Sequence, residues 1–275
     1  MPLVLALKQT HSIPLEVDSV QLDVVRGQSL DAVRATPIQY GNGQVPLGEF
    51  FDVSGSAAED EQLIWQGDCS RVKLIGWKLR SGRIRVEGPA GMHLGAEMTG
   101  GEIVAQGNAA DWVGAEMRGG RIRVHGDAGH LVGAVYRGGR RGMTGGEILI
   151  DGSAGNEIGH TMRRGLIAVG GRAGDAAGFG MIAGTVLVAG ECGIRPGAGM
   201  KRGTIGLLGV APPPPPDMLP TFKPAGLSRP VWLRIFLRHL RSSGFAIAYG
   251  WIDADYRRYN GDFLEHGRGE ILVRV

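Results

Sequence analysis

Apolar residues in the middle of the chain recur with two superposed periods. Over short runs they alternate with polar residues, the signature of a half-buried β-strand. Over a longer distance the whole pattern returns every 19 residues. Residues 80–98 read RSGRIRVEGPAGMHLGAEM, 99–117 read TGGEIVAQGNAADWVGAEM, and 118–143 read RGGRIRVHGDAGHLVGAVYRGGRRGM. Further copies occupy 144–162, 163–181 and 182–200, and a partial copy ends at Gly209. A looser copy covers 61–79. Self-similarity at a fixed period of this size marks a stacked-repeat architecture.

The strand pattern puts Ile84, Ile103, Ile122, Ile148, Ile167, Val186 and Ile205 in one column. Val86, Ala105, Val124, Ile150, Val169, Val188 and Leu207 form a second. Both are expected to point inward, because alternate strand residues share a face. A third inward column holds Ala90, Ala109, Ala128, Ala154, Ala173 and then Cys192. A fourth holds Met98, Met117, Met143, Met162, Met181 and Met200. Glycine columns beginning at Gly82, Gly88 and Gly95 predict three corners per repeat, where positive φ or crowding excludes a side chain. An outward column runs Arg83, Glu102, Arg121, Glu147. Repeats stacked as parallel neighbours about 4.8 Å apart bring these opposite charges together. The prediction is a mainly β chain, a solenoid of stacked coils.

A solenoid needs caps, since its end coils expose strand edges. Residues 1–60 do not repeat and are expected to cap the first coil, with the solenoid spanning 61–210. The prolines of 211–216 cannot donate to a ladder, so the solenoid is expected to stop at a stiff linker there. Residues 217–275 read as a small α+β appendage. In it, 228–241 reads as a helix with Ser228 at the N-cap, Pro230 in the first turn and Gly244 past the end. Val231, Trp232, Ile235, Phe236 and Leu240 are expected to form its apolar face. Stretches 245–251 and 270–275 read as strands, with Tyr256, Arg257, Arg258 and Tyr259 in a loop.

Composition narrows the function classes. Glycine contributes 48 of 275 residues without a Gly-X-Y period, which excludes collagen. Net charge is +3, and the basic excess is mostly arginine without a dense basic run, which argues against nucleic acid. Cys69 and Cys192 make no disulfide framework, no stretch reaches membrane-spanning length, and the N-terminus lacks a signal pattern. A cytoplasmic protein without membrane partners is expected.

Chemistry-bearing residues are few. The methionine column is expected to be core filling rather than a soft-metal site. Cys192 sits in an inward alanine column and reads as a buried thiol. The histidines lack metal-ligand spacing, and His125 and His130 read as surface hydrogen-bonding groups. No Ser-His-Asp or paired-carboxylate arrangement stands out. The expectation is no catalytic residue, no metal and no cofactor in this chain. One feature breaks the period: the insertion 135–142, with Tyr136, Arg137, Arg140 and Arg141. A loop leaving a solenoid often makes contacts. It is the preferred partner or ligand contact, together with Arg163, Arg164, Lys201, Arg202, Arg257 and Arg258.

The stretch GMHLGAEMTGGEIVAQGNAADWVGAEMRGG, followed by AVYRGGRRGMTGGEI, resembles the C subunit of formylmethanofuran dehydrogenase. The corresponding component of the formyltransferase/hydrolase complex of methylotrophs is more similar still. The resemblance is strong over 60–210 and weaker at Pro14–Glu16 of the N-terminal region and at Gly48, Glu49, Phe50 and Phe51. It implies a right-handed parallel β-helix acting as a non-catalytic structural subunit. The complex it implies contains hydrolase, formyltransferase and further subunits. These move formyl from tetrahydromethanopterin to methylofuran and release formate. The alternatives are the C subunit of a molybdenum- or tungsten-dependent dehydrogenase, or a module binding the carrier. Carriers of the methylofuran type bear glutamate-rich tails, which Arg137, Arg140 and Arg141 are suited to hold.

Overall fold

The computed structural model describes residues 1–209 and 218–275, so the proline linker 211–216 lies outside the described residues. The N-terminal region supplies β1 (Leu3–Leu7), β2 (Leu15–Glu16), α1 (Leu22–Val25), α2 (Leu30–Arg34), β3 (Pro37–Tyr40), β4 (Gly43–Pro46), α3 (Leu47–Phe50) and β5 (Phe51–Ser54). The looser repeat supplies β6 (Gln62–Gln66) and β7 (Val72–Lys73). The regular repeats contribute β8 (Arg83–Val86), β9 (Glu102–Ala105), β10 (Arg121–Val124), β11 (Glu147–Ile150), β12 (Leu166–Val169), β13 (Thr185–Val188) and β14 (Arg202–Leu207). After the linker come β15 (Lys223–Ser228), α4 (Val231–Ser242), α5 (Tyr249–Ile252), β16 (Tyr256–Gly261) and β17 (Arg268–Arg274).

Among the described residues the chain is mainly β, with one large mixed sheet of 13 strands and a smaller one of four. Successive repeats pair in parallel and in register, Ile84 on Ile103, Ile103 on Ile122, Ile122 on Ile148 and onward to Ile205. A second parallel ladder joins Cys69, Ala90, Ala109, Ala128, Ala154, Ala173 and Cys192 by single bridges. The isoleucine, valine and methionine columns are buried together in one cluster, as the period-2 pattern requires. Cys69 is buried at the start of the alanine ladder.

The three glycine columns answer to two different constraints. Gly82 and Gly95, at φ +77° and +65°, sit in the left-handed region. The middle column does not take positive φ. A Cβ on Gly107 would lie 2.8 Å from backbone atoms of Gly88 and Pro89 in the repeat below. Close stacking, not turn geometry, excludes the side chain there. Polar side chains tie the same corner vertically. Asn108 accepts from the Asp127 amide, Asp127 from Ser153 and Ser153 from Arg172. A parallel series runs from Asp111 through His130 and Asn156 to Asp175. These groups satisfy amides that the short strands leave unpaired.

The region after the linker departs from expectation. The ladder does not stop there: β17 pairs in parallel with β14, setting Ile271 beside Ile205. β16 then pairs antiparallel with β17, and β15 with β16. Arg257 and Arg258 are therefore on a strand, not a loop. Ser228 ends β15, and Pro230 is the N-cap of α4. Gly244, at φ +76°, follows the helix end as expected. The buried face of α4 is Leu233, Leu237 and Leu240, flanked by Trp232 and Phe236, while Val231 and Ile235 are exposed. Stretch 245–251 forms no strand; it buries Phe245 and Ile247 and enters α5.

The reason for this helix register lies on the outer face of the sheet. Leu149, Leu166, Ala168 and Leu187 point outward from β11, β12 and β13 yet are buried beneath α4. Burying each large apolar side chain on such a face contributes about 1.5–3 kcal/mol. Arg123 fastens the helix end by donating 2.7 and 2.8 Å hydrogen bonds to the Ser243 and Gly244 carbonyls. Among the described residues, no helix is long and apolar enough to cross a membrane.

Candidate functional site

The residue after each methionine forms a column at one corner: Thr99, Arg118, Thr144, Arg163, Ile182 and Lys201. From Arg118 onward each donates its amide to the methionine carbonyl of the repeat below, at 2.7–2.8 Å. This stacking carries side chains separated by a whole repeat to about 4.8 Å per step along one line. The neighbouring position supplies Arg164 and Arg202, and β17 sets Arg268 beside Arg202.

Arg163, Arg164, Lys201, Arg202, Arg268 and His266 line one open groove of about 740 Å³. Phe236 of α4 gives it an apolar wall. Glu147 also lines it, but this carboxylate is committed to Arg121 at 2.8 Å and to His239 Nε2 at 2.6 Å. Lys201 lies 3.8 Å from Glu265. Among the described residues, Arg163, Arg164, Arg202 and Arg268 have no carboxylate within ion-pair distance.

The insertion begins inside the fold and ends outside it. Val135 is buried, and Tyr136 stacks on Trp112 with centroids 5.1 Å apart. The Tyr136 hydroxyl lies 3.0 Å from His93 Nδ1, and its amide donates to Glu116. Burial, with Lys73 nearby, holds His93 below its ordinary value, which favours a neutral ring able to accept this bond. Burial raises the Tyr136 phenol well above its usual range. Tyr136 is thus an anchor, while Arg137, Arg140 and Arg141 are exposed. Arg140 and Arg141 border a second groove of about 460 Å³ with Arg118 and Thr144, on the same corner as the first. Arg137 lines neither groove, nor do Arg257 and Arg258 on β16.

The structure therefore unites Arg163, Arg164, Lys201 and Arg202, and places Arg140 and Arg141 on the same corner. Sequence reasoning missed Arg118, Arg268, His266 and Phe236. Arg118 was legible as a member of the column after methionine; the others arrive by pairing of distant segments. This array suits binding of carboxylates or phosphates, since guanidinium forks match both. Nucleophilic chemistry finds little here: burial pushes the Cys69 and Cys192 thiols up to about 12. Among the described residues, no group of His, Cys, Asp and Glu is arranged to hold a metal ion.

No family model matches the chain. Among curated proteins it is 44% identical over 95 residues to the C subunit of the molybdenum-containing formylmethanofuran dehydrogenase 1 of Methanothermobacter marburgensis, a stretch that is 34% of this chain and 24% of that protein. It is 40% identical over 97 residues to the C subunit of the tungsten-containing formylmethanofuran dehydrogenase 2 of the same organism, 34% of this chain and 36% of that one. The chain spans about a quarter of the length of the first curated relatives it matches. Among solved structures, it matches a chain in the crystal structure of the formyltransferase/hydrolase complex from Methylorubrum extorquens in complex with methylofuran. That match has a TM-score of 0.91 and 32% identity and covers 99% of both chains. A likeness this complete, in sequence and in fold, shows that the chain belongs to the family that includes the C subunit of formylmethanofuran dehydrogenase and a chain of the formyltransferase/hydrolase complex.

Proposed function

We propose that this chain is a non-catalytic structural subunit of a cytoplasmic formyltransferase/hydrolase complex. In this reading its stacked repeats form a right-handed parallel β-helix at 61–210, capped by 1–60 and joined through 211–216 to the docked region 217–275. Partner subunits move formyl from tetrahydromethanopterin to methylofuran and release formate. The observation that carries the reading is the end-to-end match with a chain of such a complex, 99% of both chains. The C subunits of the dehydrogenases are matched over 34% of this chain at 44% and 40% identity, which makes the dehydrogenase assembly the second reading. The buried thiols and the buried methionine column support a scaffold role.

The insertion residues Tyr136, Arg137, Arg140 and Arg141, the groove residues Arg163, Arg164 and Arg202, and Arg257 and Arg258 form contact surfaces of the assembly. Purification of the native chain under mild conditions tests this. The expected result is co-purification with hydrolase and formyltransferase subunits, without molybdenum or tungsten in the complex. A chain that purifies alone, or with a metal-containing dehydrogenase, overturns the reading. Deleting 135–142 is expected to weaken assembly; normal recovery of all partners would assign the loop elsewhere. If the arginines instead hold the carrier tail, Arg140→Ala with Arg141→Ala raises the KM for the carrier and leaves the complex intact.

A further inference from the structure

We propose that the basic corner is a track that seats an extended acidic polypeptide segment of a partner subunit. This rests on the reading that the chain works inside a multi-subunit assembly. An electrostatic imbalance marks the corner. The whole chain carries only +3, yet Arg163, Arg164, Lys201, Arg202 and Arg268 converge on one groove whose lining carboxylate is already paired. Lys201 has Glu265 at 3.8 Å, but crowding Arg163, Arg164, Arg202 and Arg268 without counter-ions among the described residues opposes folding, so this arrangement is stabilised when carboxylates are supplied from outside.

Geometry selects the shape of the occupant. Arg118, Thr144, Arg163, Ile182 and Lys201 climb one line, each amide bonded to the repeat below. At about 4.8 Å per step, Arg118 and Lys201 are roughly 19 Å apart, and Arg268 lies one strand beyond β14. A single small anion does not span this distance. An extended peptide does, since its same-face side chains recur about every 6.6–7 Å. The groove also contains Phe236 and Ile182, which give a peptide backbone and an interspersed apolar residue something to pack on. A purely charged surface for small ions has no need of that wall. The seat is wide and open rather than a closed pocket, as a docked strand of chain requires.

The experiment has two arms. In the first, fluorescein-labelled octaglutamate is titrated by anisotropy against the purified full-length chain. Wild-type chain is expected to bind it with an affinity that falls as salt rises. Combining Arg163→Glu, Arg164→Glu and Arg202→Glu is expected to weaken binding by about ten-fold or more, the scale of losing charge-assisted hydrogen bonds. Arg172→Glu with Arg195→Glu, on other corners, serves as the control and leaves binding unchanged. Circular dichroism melts check folding, and the milder set Arg163→Gln, Arg164→Gln and Arg202→Gln is used if charge reversal unfolds the chain. Equal affinity of wild type and variant overturns the track.

In the second arm, the variants are built into the whole complex, and its composition is followed by size exclusion at increasing salt. Loss of one partner subunit at lower salt than in wild type supports the proposal. Weakened peptide binding with an unaltered complex overturns the partner assignment and identifies the occupant as a free polyanion. If wild-type chain assembles with nothing, the reading of the chain as a subunit fails, and the peptide arm still reports separately on the groove.

Discussion

At the residue scale, every strong constraint comes from the stacking distance. Gly107 has no room for a Cβ because the backbone of Gly88 and Pro89 lies beneath it, whereas a Cβ on Gly138 meets nothing within 4 Å. Gly138→Ala therefore costs only the left-handed backbone, about 1–2 kcal/mol. Gly107→Ala displaces two repeats and is expected to cost clearly more; paired urea melts separate the two. In the core, Ile122 and Met143 are fully buried. Ile122→Ala is expected to destabilise by about 2–5 kcal/mol, because neighbours above and below prevent collapse around the cavity. The two cysteines obey the same logic. With their pKa pushed up to about 12 by burial, neither is a thiolate at pH 8, and iodoacetamide is expected to label the folded chain only after denaturant is added.

At the scale of elements, the insertion and α4 are held by unlike means. The insertion hangs from Tyr136, wedged against Trp112 and bonded to His93. His93 has its value lowered by burial, so the folded state prefers the neutral ring. That preference contributes fully above the ordinary value of 6.5 and is lost as pH falls below it toward the depressed folded value. Protection factors of the 135–142 amides, corrected for the intrinsic exchange rate at each pH, are expected to fall on acidification through this window, and Tyr136→Leu to make them low at all pH values. Protection that stays constant between neutral and acidic pH would show that His93 does not hold the loop. Helix α4 depends instead on apolar burial. Leu237→Asp places a charge between Leu240 and the outward leucines of β11 to β13 and is expected to release the helix, read as lost amide protection over 231–242.

At the scale of the molecule, the ladder is continuous from β5 at one end to β15 at the other. Residues 218–275 do not hang from the stack; β17 covers the edge of β14, and α4 covers its outer face. Removing 218–275 exposes an unpaired strand edge and a leucine face together. The truncated chain is expected to aggregate, which light scattering at increasing concentration measures. The same continuity produces the basic corner, because only a stack with fixed rise converts a residue type recurring every 19 positions into a line of charge.

The inward columns, the isoleucine-to-isoleucine register and the Arg83–Glu102 and Arg121–Glu147 pairs were all legible in the chain alone, and the pairs close at 2.9 and 2.8 Å. They depend on a period, and a period is a local property that any two adjacent repeats display. The helix face was not legible. Val231 and Ile235 are as apolar as Leu233 and Leu237, and only the presence of Leu149, Ala168 and Leu187 on the outer sheet decides which set is covered. That outward column turns apolar in the sequence, but nothing local says what covers it. Likewise Tyr136 reads as an exposed contact until His93, 43 residues earlier, and Trp112 are brought beside it. Repetition determined how each repeat sits on the next. The tertiary structure alone decided where the non-repeating segments dock, because their partners are chosen by surface complementarity across long stretches of chain.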